Sequence, residues 1–197
     1  MEVFAQYGYR RASMDQVAEQ AELTRQAVYH YFKTKRELFR ATVEAFHAES
    51  HEIAIVAGLE REQAGAPLAE IVAAQIDARM RFILECLEEM PQPEELLSQR
   101  QSQASDLIQS FTDQTVALYT ETIERVCRSR KLSLRENMTA ADLARYIQIA
   151  VSGFEDLKFK PNFLDELKRV VRLIVTGAVL PERTARAAKS IPTRKKS

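Results

Sequence analysis

Apolar positions in this chain recur every three or four residues, and no stretch alternates convincingly at period two. The pattern therefore predicts an all-α protein without a sheet. Ser13 and Gln16 form a capping box, in which each side chain takes the other residue's backbone N–H. Val17, Ala18 and Ala21 follow at helical spacing, so a short helix buries that side. Glu22 and Leu23 leave room only for a tight turn before Thr24, an N-cap for a second short helix over Arg25 to Phe32. Thr34 with Glu37 reads as another capping box, opening a longer helix from Lys35 to about Ala57 along Leu38, Phe39, Val43, Phe46, Ile53 and Val56. Helix, tight turn, helix is the arrangement that lays one helix in a DNA groove.

The remaining chain keeps the helical period. Gly58 to Pro67 is a polar break. Pro67 then opens a helix through Leu68, Ile71, Val72, Ile76, Met80, Ile83, Leu84 and Leu87, which Met90-Pro91-Gln92-Pro93 stops. One further helix is expected over Glu94 to Arg130, followed by a loop from Lys131 to Met138. Thr139 caps a helix through Leu143, Ile147, Val151 and Phe154. Pro161 and Asn162 introduce the last, through Phe163, Leu167, Val171 and Val175 to Gly177. At the other end, Met1 to Tyr7 reads as a short helix with Val3 and Phe4 apolar and Gly8 as its stop.

Chemistry concentrates on the second short helix. At about 100° per residue, Val28 and Phe32 share an inward face while Gln26, His30 and Lys33 lie opposite, flanked by Ala27 and Tyr29. Thr24 to Arg40 carries five Lys or Arg against the single Glu37. Cations beside aromatic hydroxyls suit phosphate contacts. The plainer reading is a solvated helix with half-buried tyrosines.

The run YGYRRASMDQVAEQAELTRQAVYHYFKTKRELFRATVE resembles the DNA-binding domain of TetR-type transcriptional repressors. The resemblance rests on Tyr7-Gly8-Tyr9, the Ser13 cap, Val17-Ala18, Leu23-Thr24-Arg25, Val28 to Phe32, and Lys33-Thr34-Lys35 before Glu37-Leu38. It covers roughly the first fifty residues. Glu22 stands where the family usually has glycine, which a left-handed backbone there would allow at some cost. The family's first helix is also longer. Either the true start lies upstream of Met1, or a shortened support helix leaves a weaker DNA-binding domain.

The resemblance implies a helix-turn-helix domain over residues 1–46, a helical effector-binding and dimerisation domain over 47–180, and leaves 181–197 as a basic, disordered tail. It places Arg25, Gln26 and Ala27 on bases, where Arg suits guanine, Gln adenine and the Ala methyl thymine. Tyr29, His30 and Tyr31 match backbone-gripping positions. Lys35 is expected on a phosphate at a helix N-terminus, with Ser13 and Thr24 adding hydroxyls. The implied function is a homodimeric repressor on a palindromic double-stranded DNA operator, released by a small hydrophobic or amphiphilic effector. The last two helices would form the dimer, or else lie buried within one chain. The family holds its ligand among the middle helices, and the candidates here are Met80, Phe82, Cys86, Met90, Phe111, Leu118, Tyr119 and Phe154. A stripe of Met and aromatic residues is also how an ordinary core reads.

Composition changes this picture little. The formal net charge of zero argues against nucleic acid, although the basic excess is local. No apolar run reaches membrane length and no signal peptide is visible, so a cytoplasmic protein is expected. Cys86 and Cys127 read as reduced core thiols or a redox pair. His47 and His51, with Glu44, have metal-compatible spacing but fit a solvated face equally, and no metal or cofactor is assigned. No Gly-rich phosphate loop, HExxH or nucleophile set is present, so no enzyme is expected. The alternative function is an effector-independent architectural or low-specificity DNA-binding helical protein.

Overall fold

The computed structural model describes residues 2–91, 93–135, 137–153 and 162–180. Phe154, Pro161 and the basic tail fall outside these. Among the described residues nine helices form: α1 Glu2–Arg11, α2 Met14–Gln20, α3 Arg25–Tyr31, α4 Lys35–Gln63, α5 Leu68–Glu88, α6 Pro93–Gln103, α7 Ser105–Arg130, α8 Ala140–Gly153 and α9 Phe163–Ala178. Among the described residues β pairing is confined to one isolated bridge, Leu134 with Val179. The all-α reading holds.

Several local expectations are met atom by atom. Gln16 N donates to Ser13 Oγ at 3.2 Å and Ser13 N to Gln16 Oε1 at 2.8 Å, closing the capping box of α2. Glu22 has φ 54°. Its N–H reaches Glu19 O and that of Leu23 reaches Ala18 O, the double bond of a Schellman turn with Glu22 at the left-handed position. Thr24 Oγ1 accepts from Ala27 N at 3.1 Å.

Four expectations are corrected. Glu37 does not reach back to Thr34. It accepts instead from Lys33 N at 2.8 Å, while Thr34 Oγ1 still caps Glu37 N. Gly8 is a kink inside α1 rather than its end, with φ 73° and ψ 163°. α4 runs through Gly58 to Gln63 because Gly58 faces Gln75, whose Nε2 would lie 2.6 Å from an added Cβ. The turn comes at Gly65, with φ 75°. Finally, the helix expected over Glu94 to Arg130 is broken at the fully buried Ala104. Arg40 holds that break, donating to Gln103 O at 3.1 Å and clasping Asp106 through two bonds of 2.7 and 2.6 Å. No Gly or Pro marks the site, so periodicity could not show it.

The chain divides into two compact units, residues 1–54 with 78–114 and residues 55–77 with 115–197, with the changes falling inside α4, α5 and α7. In the first, Val3, Phe4, Met14, Ala18, Val28, Leu38 and Phe39 form one core with Phe111 of α7, and Leu96 and Leu107 pack against it. α1 to α3 are thus completed by the later helices of that unit. The second unit packs α8 on α9 around Ile71, Ile76, Ile123, Leu143, Ile147 and Val171. Inside it Gln75 donates to Thr122 at 3.0 Å, and Arg172 pairs with Glu70 at 2.7 Å.

Candidate nucleic-acid interface and adjoining cleft

α3 buries Val28 and leaves Arg25, Gln26, Tyr29, His30 and Tyr31 exposed, with Ala27 half-buried. Tyr31 is 73% exposed, which makes it the most protruding aromatic of the helix. No carboxylate belongs to α3 itself. Asp15 of α2 pairs with Arg25 at 3.1 Å, and the Arg25 guanidinium lies 5.3 Å from the Tyr29 ring. Arg25 is therefore pre-positioned by a carboxylate that a base or phosphate must displace. Lys33 donates to the carbonyls of Tyr29 and His30, satisfying the C-terminus of α3.

Ser13 and Thr24 use their oxygens as caps, which leaves each hydroxyl hydrogen able to donate outward. Lys35 is placed differently. Its ammonium donates to Arg10 O and Ala12 O, both at 3.0 Å, and sits 4.8 Å from the Tyr9 ring. Two of its three hydrogens thus close the end of α1. Arg40, counted in the local basic excess, is committed to Asp106. That contact holds the Asp106 carboxyl down to about 2, chiefly through the hydrogen bonds from Arg40. Ser13, Thr24, Arg25, Gln26, Tyr29, His30 and Tyr31 are each exposed. Asp15 is the contributor that spacing alone did not reveal, since its partner lies across the turn.

In the same unit α4, α5 and α6 line an apolar cleft of about 40 Å³, through Phe39, Val43, Phe46, Ile83, Leu87, Met90, Leu96, Leu97 and Arg100. Of the described candidate effector residues, only Met90 belongs to that lining. Phe82 stacks on Phe46 with ring centroids 5.1 Å apart. Phe111 is part of the core and stacks on His47 at 3.8 Å. Met80 and Cys86 are half-buried in this unit, whereas Leu118 and Tyr119 are buried in the other. The lining was missed because it is made by pairing faces of three helices, and Phe46 and Leu87 read only as ordinary stripe positions.

Burial and nearby acids push the Cys86 thiol up, and burial alone raises that of Cys127. Among the described residues, no three His, Cys, Asp or Glu side chains gather as a metal site. Among them too, no helix is long and apolar enough to cross a membrane.

α6 packs on α1, and Glu95 makes the polar contact between them. Arg10 N donates to Glu95 Oε1 at 3.2 Å, and an added Cβ at Gly8 would stand 2.7 Å from Glu95 Oε2. A helix that lines the cleft therefore grips the kink of α1.

Residues 1–42 match the model of the family described as bacterial regulatory proteins, tetR family. No curated protein matches the chain. Among solved structures, a transcriptional regulator from Rhodococcus sp. Rha1 is similar at 18% identity with a TM-score of 0.58, over 91% of this chain and 94% of that one. At that identity the likeness speaks for the fold.

Proposed function

We propose that this chain, which carries the N-terminal domain of tetR-type regulatory proteins, is a DNA-binding transcriptional regulator, acting as a homodimeric repressor that a small effector releases from a palindromic operator. The observation that carries the reading is the capped α2–turn–α3 motif, with its acid-free face of Gln26, Tyr29, His30 and Tyr31 turned outward. Gln26 suits an adenine edge and Arg25, once released by Asp15, a guanine. Tyr31, His30 and the Ser13 and Thr24 hydroxyls serve the backbone.

Dimerisation is supported by apolar side chains left on α8 and α9. Leu173 is 74% exposed and Ile149 68%, with Tyr146 beside it one turn earlier. A second copy covering them would set two recognition helices about 34 Å apart, as a palindromic site needs. Release is supported by the grip of α6 on α1 through Glu95 and on α4 through Arg40. An effector that favours a displaced α6 weakens DNA binding, and DNA weakens effector binding equally. The alternative, an effector-independent DNA-binding protein, draws on the small cleft. About 40 Å³ is far below the roughly 300 Å³ of a usual ligand pocket.

Fluorescence anisotropy on the DNA upstream of the chain's own gene, against scrambled DNA at two salt concentrations, tests the reading. A preference of about a thousandfold or more is expected. Gln26→Ala should relax it by about 1–3 kcal/mol, and Tyr31→Ala should weaken all DNA alike. Equal, weak and salt-sensitive binding to both DNAs would favour the alternative.

A further inference from the structure

α3 has no acid in its first turn, where Arg25 stands. The acid comes from α2, which packs on α3 across the left-handed turn at Glu22. Asp15 lies in the first turn of α2, and its Oδ1 is 3.1 Å from Arg25 Nε. The Tyr29 ring flanks the same guanidinium, with Arg25 Cζ 5.3 Å from the ring centre. The side chains of Arg25 and Asp15 are 65% and 55% exposed, and pairs so exposed add little to stability. The motif is secured by other devices, the Ser13–Gln16 capping box and the Thr24 hydroxyl on Ala27 N. A carboxylate in this place also opposes the approach of a phosphate backbone. Its value to the protein therefore lies in what it does to Arg25.

We propose that Asp15 is a specificity-determining residue, which holds Arg25 off DNA phosphates and yields it to a guanine edge. The proposal rests on the reading of the chain as a DNA-binding regulator. The two destinations of Arg25 differ in what they offer. A phosphate exchanges one anion for another, so Arg25 gains little by moving to it. The move also leaves the Asp15 carboxylate unpaired beside a group of like charge. A guanine presents O6 and N7 together to the guanidinium fork and sets no negative charge against Asp15. Asp15 thus removes one cation from the grip on the backbone, which is blind to sequence, and keeps it for a base. It works through Arg25, as a positioning residue.

The test is a double-mutant cycle in the full chain, Asp15→Asn against Arg25→Ala, read by fluorescence anisotropy over a series of salt concentrations. The probes are scrambled DNA, the DNA upstream of the chain's own gene, and that DNA with 7-deazaguanine at single guanines. Circular dichroism melts verify that each variant is folded. Asp15→Asn should tighten binding to scrambled DNA about twofold to fivefold and steepen its salt slope by about one for each head engaged. Arg25→Ala alone should leave scrambled DNA nearly unaffected, and in the double variant it should abolish both changes. On the upstream DNA, loss of N7 at one guanine should weaken the unmutated chain about threefold to tenfold, and Asp15→Asn less. Tightening that persists without Arg25 would make Asp15 a general repulsive charge and overturn the proposal. So would a folded Asp15→Asn that binds scrambled DNA no more tightly than the unmutated chain. A third overturning result needs no variant: an unmutated chain that prefers the upstream DNA yet ignores N7 at every guanine. The regulator reading fails separately, if the unmutated chain prefers neither DNA, and the cycle on scrambled DNA then still decides whether Asp15 holds Arg25 off phosphates.

Discussion

The recognition face and the interior around His47 belong to the same compact unit, yet they hold their polar groups in opposite ways. On α3 the groups are exposed and their helix is secured by local devices, with Thr24 at its start and Lys33 on its last carbonyls. Solvent reaches these side chains, and Arg25 has the Asp15 carboxylate as well. In the interior of the unit, by contrast, His47 Nε2 and Arg79 Nε are buried without a hydrogen-bond partner. The first arrangement costs little stability and leaves the groups open to a partner. The second carries a cost in free energy that the surrounding packing must offset. Exposed sites are therefore fixed by chain-local chemistry, and buried ones by which helices meet.

Substitutions can probe that contrast, and the largest effect belongs to the core joining the two regions. Phe39 is 1% exposed and packs edge-on against Phe4 and Tyr9, at 5.2 and 4.9 Å. Phe39→Ala should cost about 3–5 kcal/mol in urea denaturation, and DNA binding should fall with it. Tyr31→Ala, by contrast, should leave stability within about 0.5 kcal/mol while weakening DNA binding. If the two variants behaved alike, the separation of face from core would fail.

Gly8→Ala comes next. Gly8 adopts a backbone region that is essentially closed to other residues, and an added Cβ would stand 2.7 Å from Glu95 Oε2, so the Glu95 carboxylate would have to shift as well. A loss of about 1–3 kcal/mol is expected, read as a lower melting midpoint together with weaker DNA affinity. Unchanged DNA affinity in a destabilised G8A would show that the α1–α6 contact serves folding alone.

The smallest effect is acid sensitivity from His47. Its imidazole stays neutral in the folded chain down to about pH 3. Below about 6.5 the unfolded chain takes up a proton that the folded one refuses. Stability should therefore fall as pH drops from about 6.5 towards 3, by up to about 2 kcal/mol at pH 5. Denaturation midpoints for the unmutated chain and His47→Gln at pH 7 and 5 check this, and the variant should lose less on acidification. Equal losses would mean that His47 is not kept neutral by the fold.

Much of the head was legible because its signals are short-range. Ser13, Gln16 and Thr24 act within three residues, so their spacing predicts their hydrogen bonds. Glu22 in a left-handed turn follows from the two helices that must flank it. The outward set of α3 follows from Val28 pointing in. Other features needed the fold. The α6–α7 break depends on Arg40, more than sixty residues away. Gly8 reads as a helix stop until Glu95 is seen against it. Phe111 reads as a pocket aromatic until it stacks on His47 within the core. That the Lys35 ammonium closes the end of α1 on the carbonyls of Arg10 and Ala12 also needed the fold.

By itself, then, the sequence determined the helical class, the helix–turn–helix and the residues α3 turns outward, because periodicity, caps and turns act between neighbours along the chain. The tertiary structure decided where α7 begins, which side chains enclose the cleft and which nitrogens are buried without partners. Those properties belong to pairs of helices brought together across long separations, and no local pattern encodes which faces will meet.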